Sequence, residues 1–310
     1  MNKGRNQLDK GQSATARIEI HCFETATVTD KQFLLGNWKN SPSRIGGELR
    51  LPAGTARVPV IVLLHGSAGL GANVDRWARE LNAIGAGSFL VDSFTGRGIT
   101  QTVTDQSQLG NLTMIIDAYR ALDLLSKHPA INSARIYVMG FSKGGFAALY
   151  ASVKRFQRTY GSRGVEFAAY LPFYPACNTV YVEDEDVSKV PIRIFHGSED
   201  DYVPVEPCRK YVERIRRAGA DVLLNEYAGA HHAFDNPLYE PHRFLPDAIV
   251  TAHCERAERP VGTIVNVATD KPFRWDDACI RRGGTVGYDA VATVETTRAV
   301  TTFFLESFRH

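Results

Sequence analysis

Residues 140–144 read Gly-Phe-Ser-Lys-Gly, a G-x-S-x-G pattern that places Ser142 between glycines. A serine on a sharp strand-to-helix turn lifts its Oγ clear of the sheet, and flanking glycines remove the side chains that would collide there. A helix starting at such a turn also aims backbone N–H groups at negative charge developing beside the serine. With average glycine usage the pattern arises by chance in roughly one chain in ten of this length, so its context must decide. A hydroxyl is a poor nucleophile without a base, and the base needs an acid to orient it. In a strand–turn–helix setting the partners follow in the order Ser, Asp or Glu, His.

Downstream of Ser142 the histidines are His196, His231, His232, His242, His253 and His310. The pair His231 and His232, in AGAHHAF (228–234), follows an apolar run, so either can serve as base. The acid is expected in GSEDDYVP (197–204), with Asp200 preferred to Asp201 and Glu199 last. His196 ends a strand before a glycine and reads as structural. An oxyanion requires two converging backbone N–H groups. Lys143 is expected to give one, and Ser67 (Ala68 as second choice) the other, from HGSAG at 65–69. The His65 ring reads as a loop brace. Together these residues specify attack of Ser142 on a carbonyl through an acyl-enzyme.

The elements that must hold them show in the hydrophobic pattern. Residues 60–64 (VIVLL) form the run of a strand buried on both faces, and 87–94, 135–139, 167–174, 190–196 and 221–227 read as further strands. Helical spacing covers 73–84, 113–127, 146–153, 205–218 and 290–307. Residues 17–25 and 44–51 alternate as outer strands, and the polar first 15 read as frayed. Strands alternating with helices imply right-handed crossovers and a mostly parallel sheet covered on both faces. Ligands then bind beyond the carboxyl ends of the strands, where every motif above falls. Residues 236–287 fit no such alternation and read as an irregular excursion near the site within one domain spanning 1–310.

Composition is that of a globular protein: 44% hydrophobic, 23% charged and a net charge of +2. The cations are dispersed, which speaks against a nucleic-acid surface or a polybasic membrane anchor. No apolar run approaches a membrane span, and the N-terminus lacks the apolar core of a secretory signal, so a cytoplasmic location is expected. The five cysteines, Cys22, Cys177, Cys208, Cys254 and Cys279, contain no CxxC pair and read as reduced thiols. The alternative pairs Cys177 with Cys208 and Cys254 with Cys279, which would favour an oxidising or periplasmic compartment.

With HGSAG, GFSKGG, GSEDDYVP and GAHHAF in place, the chain resembles the dienelactone hydrolase family of α/β-hydrolases over roughly residues 50–236 and the final helix. The resemblance implies an α/β-hydrolase fold. Its acid motif, G-x-x-D before V-P, falls on Asp200, and its H-x-F motif falls on His232 rather than His231. In that family a cysteine occupies the place of Ser142, and a glutamate the place of Gly66. The resemblance therefore implies a serine-using relative that cleaves small ester- or lactone-like substrates with no metal or organic cofactor. Trp77, Phe94, Arg97, Tyr174 and Tyr202 lie at or beyond strand ends and are candidate substrate contacts. Phe273 and Trp275 are candidates to close the site.

Overall fold

The computed structural model describes residues 15–54 and 56–309. The frayed segment expected at the N-terminus lies outside these residues except for Thr15, which begins a strand. The chain runs through β1 (Thr15–Ala26), α1 (Asp30–Leu34), β2 (Pro42–Pro52), β3 (Val58–Leu64), α2 (Ala72–Ala83) and β4 (Gly87–Asp92). Next come α3 (Thr113–Ser126), β5 (Ile131–Phe141), α4 (Lys143–Tyr150), α5 (Lys154–Tyr160), β6 (Tyr170–Phe173) and β7 (Thr179–Val180). Then follow β8 (Ile192–Gly197), α6 (Glu206–Arg217) and β9 (Val222–Tyr227). The last part holds β10 (Arg243–Val250), β11 (Arg256–Glu258), β12 (Ile264–Asn266), β13 (Lys271–Pro272), β14 (Arg281–Val286) and α7 (Ala290–Ser307).

Eight strands make the main sheet in the order β1-β2-β4-β3-β5-β6-β8-β9. β1, β2 and β4 pair antiparallel, and every pair from β4 to β9 is parallel. β3 shows why the run VIVLL is unbroken. Val60, Val62 and Leu64 enter the core on one face, while Ile61 and Leu63 enter the core on the other. Each such side chain is worth roughly 1.5–3 kcal/mol when fully buried, so a polar residue on either phase would be costly. α3, α4 and α6 cover the first face, and α2 and α7 cover the second. This is the parallel sheet with helices on both faces expected from the alternation.

The 236–287 segment is not irregular, which corrects the reading of the sequence. β10 and β14 pair antiparallel, and β11, β12 and β13 join β7 in a four-stranded sheet. Short antiparallel strands joined by turns leave neither a helical period nor a long apolar run, which is why the pattern escaped detection. The segment is fastened at several points. Ile249 N–H donates to Val103 O, Gly287 N–H donates to His232 O, and Asn178 Nδ2 donates to the carbonyls of Thr251 and Cys254. Arg155 holds Glu258 through two hydrogen bonds of 2.7 Å. Disulfides join Cys177 to Cys208 and Cys254 to Cys279, which corrects the expectation of reduced thiols; Cys22 is free. No helix among the described residues is long and apolar enough to cross a membrane.

Arg97 corrects another expectation. It is not placed to contact a substrate beside Ser142. Its guanidinium is buried and grips both Asp117 oxygens at 2.8 Å, and it also donates to Ala26 O, Ser93 O and Thr27 Oγ1. Removing one member strands a buried charge, whereas replacing both with apolar groups does not. Arg97→Leu is expected to lose about 3–5 kcal/mol of stability in urea unfolding, and Arg97→Leu with Asp117→Leu distinctly less. The Cys254–Cys279 bridge closes a loop across a sequence separation of 25. Replacing both cysteines by alanine is expected to cost about 3 kcal/mol by the chain-entropy argument, read from the same denaturation curve.

Candidate active site

Ser142 stands between β5 and α4 with φ 53° and ψ −111°, a conformation rare for a residue with a Cβ. Such geometry costs on the order of 1–3 kcal/mol and persists only where neighbours impose it. Ser142 N–H donates to Phe173 O at 3.0 Å, and Ser142 O accepts Phe146 N–H at 2.8 Å. The glycines answer to space rather than to dihedral angle. A Cβ on Gly140 would lie 2.0 Å from Gly144 O, and one on Gly144 would lie 2.2 Å from Leu64 O. α4 therefore begins directly at Lys143, earlier than the sequence pattern implied, because Gly144 and Gly145 are helical residues wedged against strands.

His232 Nε2 lies 2.9 Å from Ser142 Oγ, and its Nδ1 lies 2.7 Å from Asp200 Oδ2. A carboxylate only accepts, so Nδ1–H donates to Asp200 and the Nε2 lone pair faces the serine hydroxyl. Asp200 Oδ1 accepts the backbone N–H groups of Tyr202 (3.1 Å) and Val203 (2.7 Å). Burial opposes its ionisation, yet the facing charge of His232 and hydrogen bonds from His196 and His232 prevail and hold the carboxyl down at about 2. The His232 ring is flanked by two tyrosines, Tyr174 at 4.7 Å and Tyr202 at 4.9 Å between centroids.

The other candidates fall into supporting positions. His196 Nε2 donates to Val203 O at 2.7 Å and lies 3.4 Å from Asp200 Oδ2, bracing the acid's loop. His231 meets His242 edge-on at 4.7 Å instead of facing Ser142. Asp201 accepts Thr285 N–H (2.8 Å) and Thr285 Oγ1–H (2.9 Å), so it fastens β14. Glu199 is exposed. Buried His65 accepts Ser93 N–H at Nε2 and donates from Nδ1 to Gly66 O; burial pushes its pKa down, and the neutral ring braces the loop.

Two openings flank Ser142. One has a mixed lining, with Ser67, Gln106, Asn111, Lys143 and Thr251 beside Phe146, Ala176, Val203 and Ile249. The other, of about 530 Å³, is mainly apolar, with Ala68, Val103, Leu245, Val286, Tyr174 and Tyr239. Tyr202 lines both. Lys143 is the first residue of α4, so its N–H has no intrahelical acceptor. Ser67 and Lys143 both border the space at Ser142. The Lys143 ammonium turns away and donates to Leu109 O (2.9 Å), Asn111 Oδ1 (2.8 Å) and Gln106 Oε1 (3.3 Å). Burial lowers its pKa to about 8, opposed by Asp30 and Asp105.

Of the five expected substrate contacts, only Tyr174 and Tyr202 reach these openings. Trp77 is wholly buried, because Val74, Trp77, Ala78 and Leu81 form the apolar stripe that α2 turns into the core. Its Nε1–H donates to Asp235 Oδ2 at 2.7 Å, and Tyr174 OH donates to the same carboxylate's Oδ1 at 2.7 Å. Phe94 is buried against His65 with centroids 4.4 Å apart. Phe273 and Trp275 contact each other, Phe273 also lies beneath Arg256, and neither lines either opening; β10 and β14 wall the site instead. Gln106, Asn111 and Thr251 went unrecognised. Gln106 and Asn111 lie in the polar connection between β4 and α3 and Thr251 directly follows β10, and no periodicity marks which side chains there turn inward.

Among the described residues one trio, Glu19, His21 and His128, gathers ligand atoms within 4.8 Å. It lies on β1 and just ahead of β5, at the opposite end of the sheet from Ser142. Ala130 N–H donates to His128 Nδ1 at 3.2 Å, which leaves the neutral ring's proton on Nε2, 3.0 Å from Glu19 Oε2. A metal at Nε2 would need that proton on Nδ1, facing another donor. The trio is satisfied as a hydrogen-bonded clasp.

Known proteins are similar in the same terms. Over 106 residues the chain is 32% identical to "Probable carboxylesterase SOBER1-like" of Arabidopsis thaliana, covering 34% of this chain and 39% of that one. It is 26% identical over 153 residues to acyl-protein thioesterase 1 of Emericella nidulans, covering 49% and 63%. The match thus spans less than two thirds of either relative. Among solved structures, one named m3DLH aligns over 93% of this chain and 98% of its own, with a TM-score of 0.60 and 20% identity, which shows a shared fold. The dienelactone hydrolase family profile matches residues 45–307, and the chain belongs to that family.

Proposed function

We propose that this chain is a serine carboxylic-ester hydrolase that works through an acyl-enzyme on Ser142. The observation that carries the proposal is the continuous hydrogen-bonded line Ser142 Oγ, His232, Asp200, with 2.9 and 2.7 Å steps, opening on a cleft. His232 takes the serine proton as Oγ attacks the carbonyl carbon, and Asp200 stabilises the imidazolium that forms. The N–H groups of Lys143 and Ser67 receive the oxyanion. Collapse expels the alcohol, which recovers the proton from His232, and water repeats the cycle to free the acid. The chain's own side chains supply every proton transfer in this sequence.

The openings on either side of Ser142, both lined more by apolar than by polar surface, support an ester with a predominantly apolar acyl or alcohol part. The family and its carboxylesterase and thioesterase relatives support an ester-type substrate. The two disulfides support residence in an oxidising compartment over the cytoplasm.

On a short-chain p-nitrophenyl ester, His232→Ala and Ser142→Ala are each expected to lower kcat by several orders of magnitude, with no further loss in the double variant. His231→Ala, on the adjacent residue, is expected to stay within about threefold of wild type, since its ring packs against His242 and does not face Ser142. Equal losses at both histidines would count against the assignment. Asp200→Asn is expected to lower kcat by about 10⁴, because an amide can donate to Nδ1 and favour the wrong tautomer. The same change bears on acid stability. A carboxyl held at about 2, below its ordinary 3.8, stabilises the fold above about pH 4 and loses that contribution as pH falls towards 2. Unfolding curves for Asp200→Asn should lack that component.

A further inference from the structure

The two residues expected to supply the oxyanion N–H groups come from loops far apart in sequence, and one side-chain amide joins them. Gln106, in the connection between β4 and α3, donates from Nε2 to Ser67 Oγ at 3.0 Å and accepts at Oε1 from Lys143 Nζ at 3.3 Å. Thr102 Oγ1–H also donates to Oε1 at 3.3 Å, and Thr102 N–H donates to Ser67 O at 2.7 Å. Tyr202, whose ring flanks His232, lines the same opening as this amide. The orientation of the amide is not free. An ammonium can only donate, so the amide must turn its oxygen to Lys143 and its NH₂ to Ser67. Lys143 spends its remaining hydrogens on Leu109 O and Asn111 Oδ1, which ties the residues just after Gln106 to the start of α4.

We propose that Gln106 is a positioning residue that sets the gap between the Ser67 and Lys143 backbone donors. The inference rests on the serine-hydrolase reading above. Gln106 gives no backbone N–H to the oxyanion and takes no proton; it acts through the residues that do. Lys143 N–H is fixed by α4, so the loop-borne Ser67 N–H must be held against it as the carbonyl becomes tetrahedral, and small displacements are costly at that stage. Loosening that hold therefore penalises the transition state more than the bound ester, so the loss falls on kcat and not on KM.

Three variants test this: Gln106→Leu, which removes both polar ends; Ser67→Ala, which removes only the amide's acceptor and keeps the Ser67 N–H; and their combination. Active enzyme is counted with a fluorophosphonate, and affinity for a boronic acid reports the tetrahedral state. Gln106→Leu is expected to lower kcat roughly 10- to 100-fold, with boronate affinity falling in parallel and KM changing little. Ser67→Ala should move in the same direction, and the double variant should be no worse than Gln106→Leu, since both cut one tie. Gln106→Glu, whose carboxylate still accepts from Lys143, Thr102 and the Ser67 hydroxyl, should recover most of the loss. Additive losses, a change confined to KM, or an unaltered kcat in Ser67→Ala would overturn the proposal. Should Gln106→Leu fail to fold, Ser67→Ala and Gln106→Glu decide the matter alone. A wild type that neither labels nor turns over would sink the hydrolase reading itself. An active wild type with indifferent variants would sink only the role of Gln106.

Discussion

A serine carrying φ 53° at the end of a buried parallel strand is the constraint on which the rest of the site depends. That backbone would relax if it could. It is held because α4 starts at once and crosses so close to β3 that a Cβ on Gly144 would lie 2.2 Å from Leu64 O. The strand, the turn and the helix are thus one rigid object, with Oγ on its crest. Placed beyond the carboxyl ends of the parallel strands, the crest meets the loops that follow β3, β8 and β9, and those loops bring Ser67, Asp200 and His232.

Each of these loops is braced by polar groups with no part in proton transfer. His65 stiffens the loop after β3, His196 holds the loop of Asp200, and Asp235 collects Trp77 and Tyr174 behind His232. Such bracing holds the ring of His232 against Ser142. The wall is joined to the same framework, since Asp201 binds Thr285 and Gly287 N–H meets His232 O. Adjacent acids in one loop therefore hold different partners: Asp200 accepts from His232 Nδ1, and Asp201 anchors the strand that shapes the cleft.

Much of this was legible in the sequence because the physics is local. Runs buried on both faces, such as VIVLL, admit one reading as parallel strands, and glycines spaced around Ser142 answer a steric demand that any sharp turn makes. Order along the chain then narrowed the acid to the 197–204 loop and the base to His231 or His232, and the family's H-x-F motif singled out His232. What escaped was decided by tertiary geometry. Trp77 and Phe94 stand near strand ends, yet their helix and turn rotate them into the core, and Arg97 finds a buried carboxylate twenty residues onward at Asp117. The excursion hid its strands in short antiparallel pairs, and Gln106 hid in a polar connection where only the folded chain shows which amide turns inward.

The most direct test is intact mass after exposure to a fluorophosphonate, which reacts only with a serine made nucleophilic by its surroundings. A single adduct on the folded protein, absent from Ser142→Ala, is the result the geometry of Ser142 and His232 requires. An adduct that persists in Ser142→Ala would place the reactive group elsewhere, and no adduct on folded protein would mean that the hydrogen-bonded line from Ser142 to Asp200 does not activate the serine.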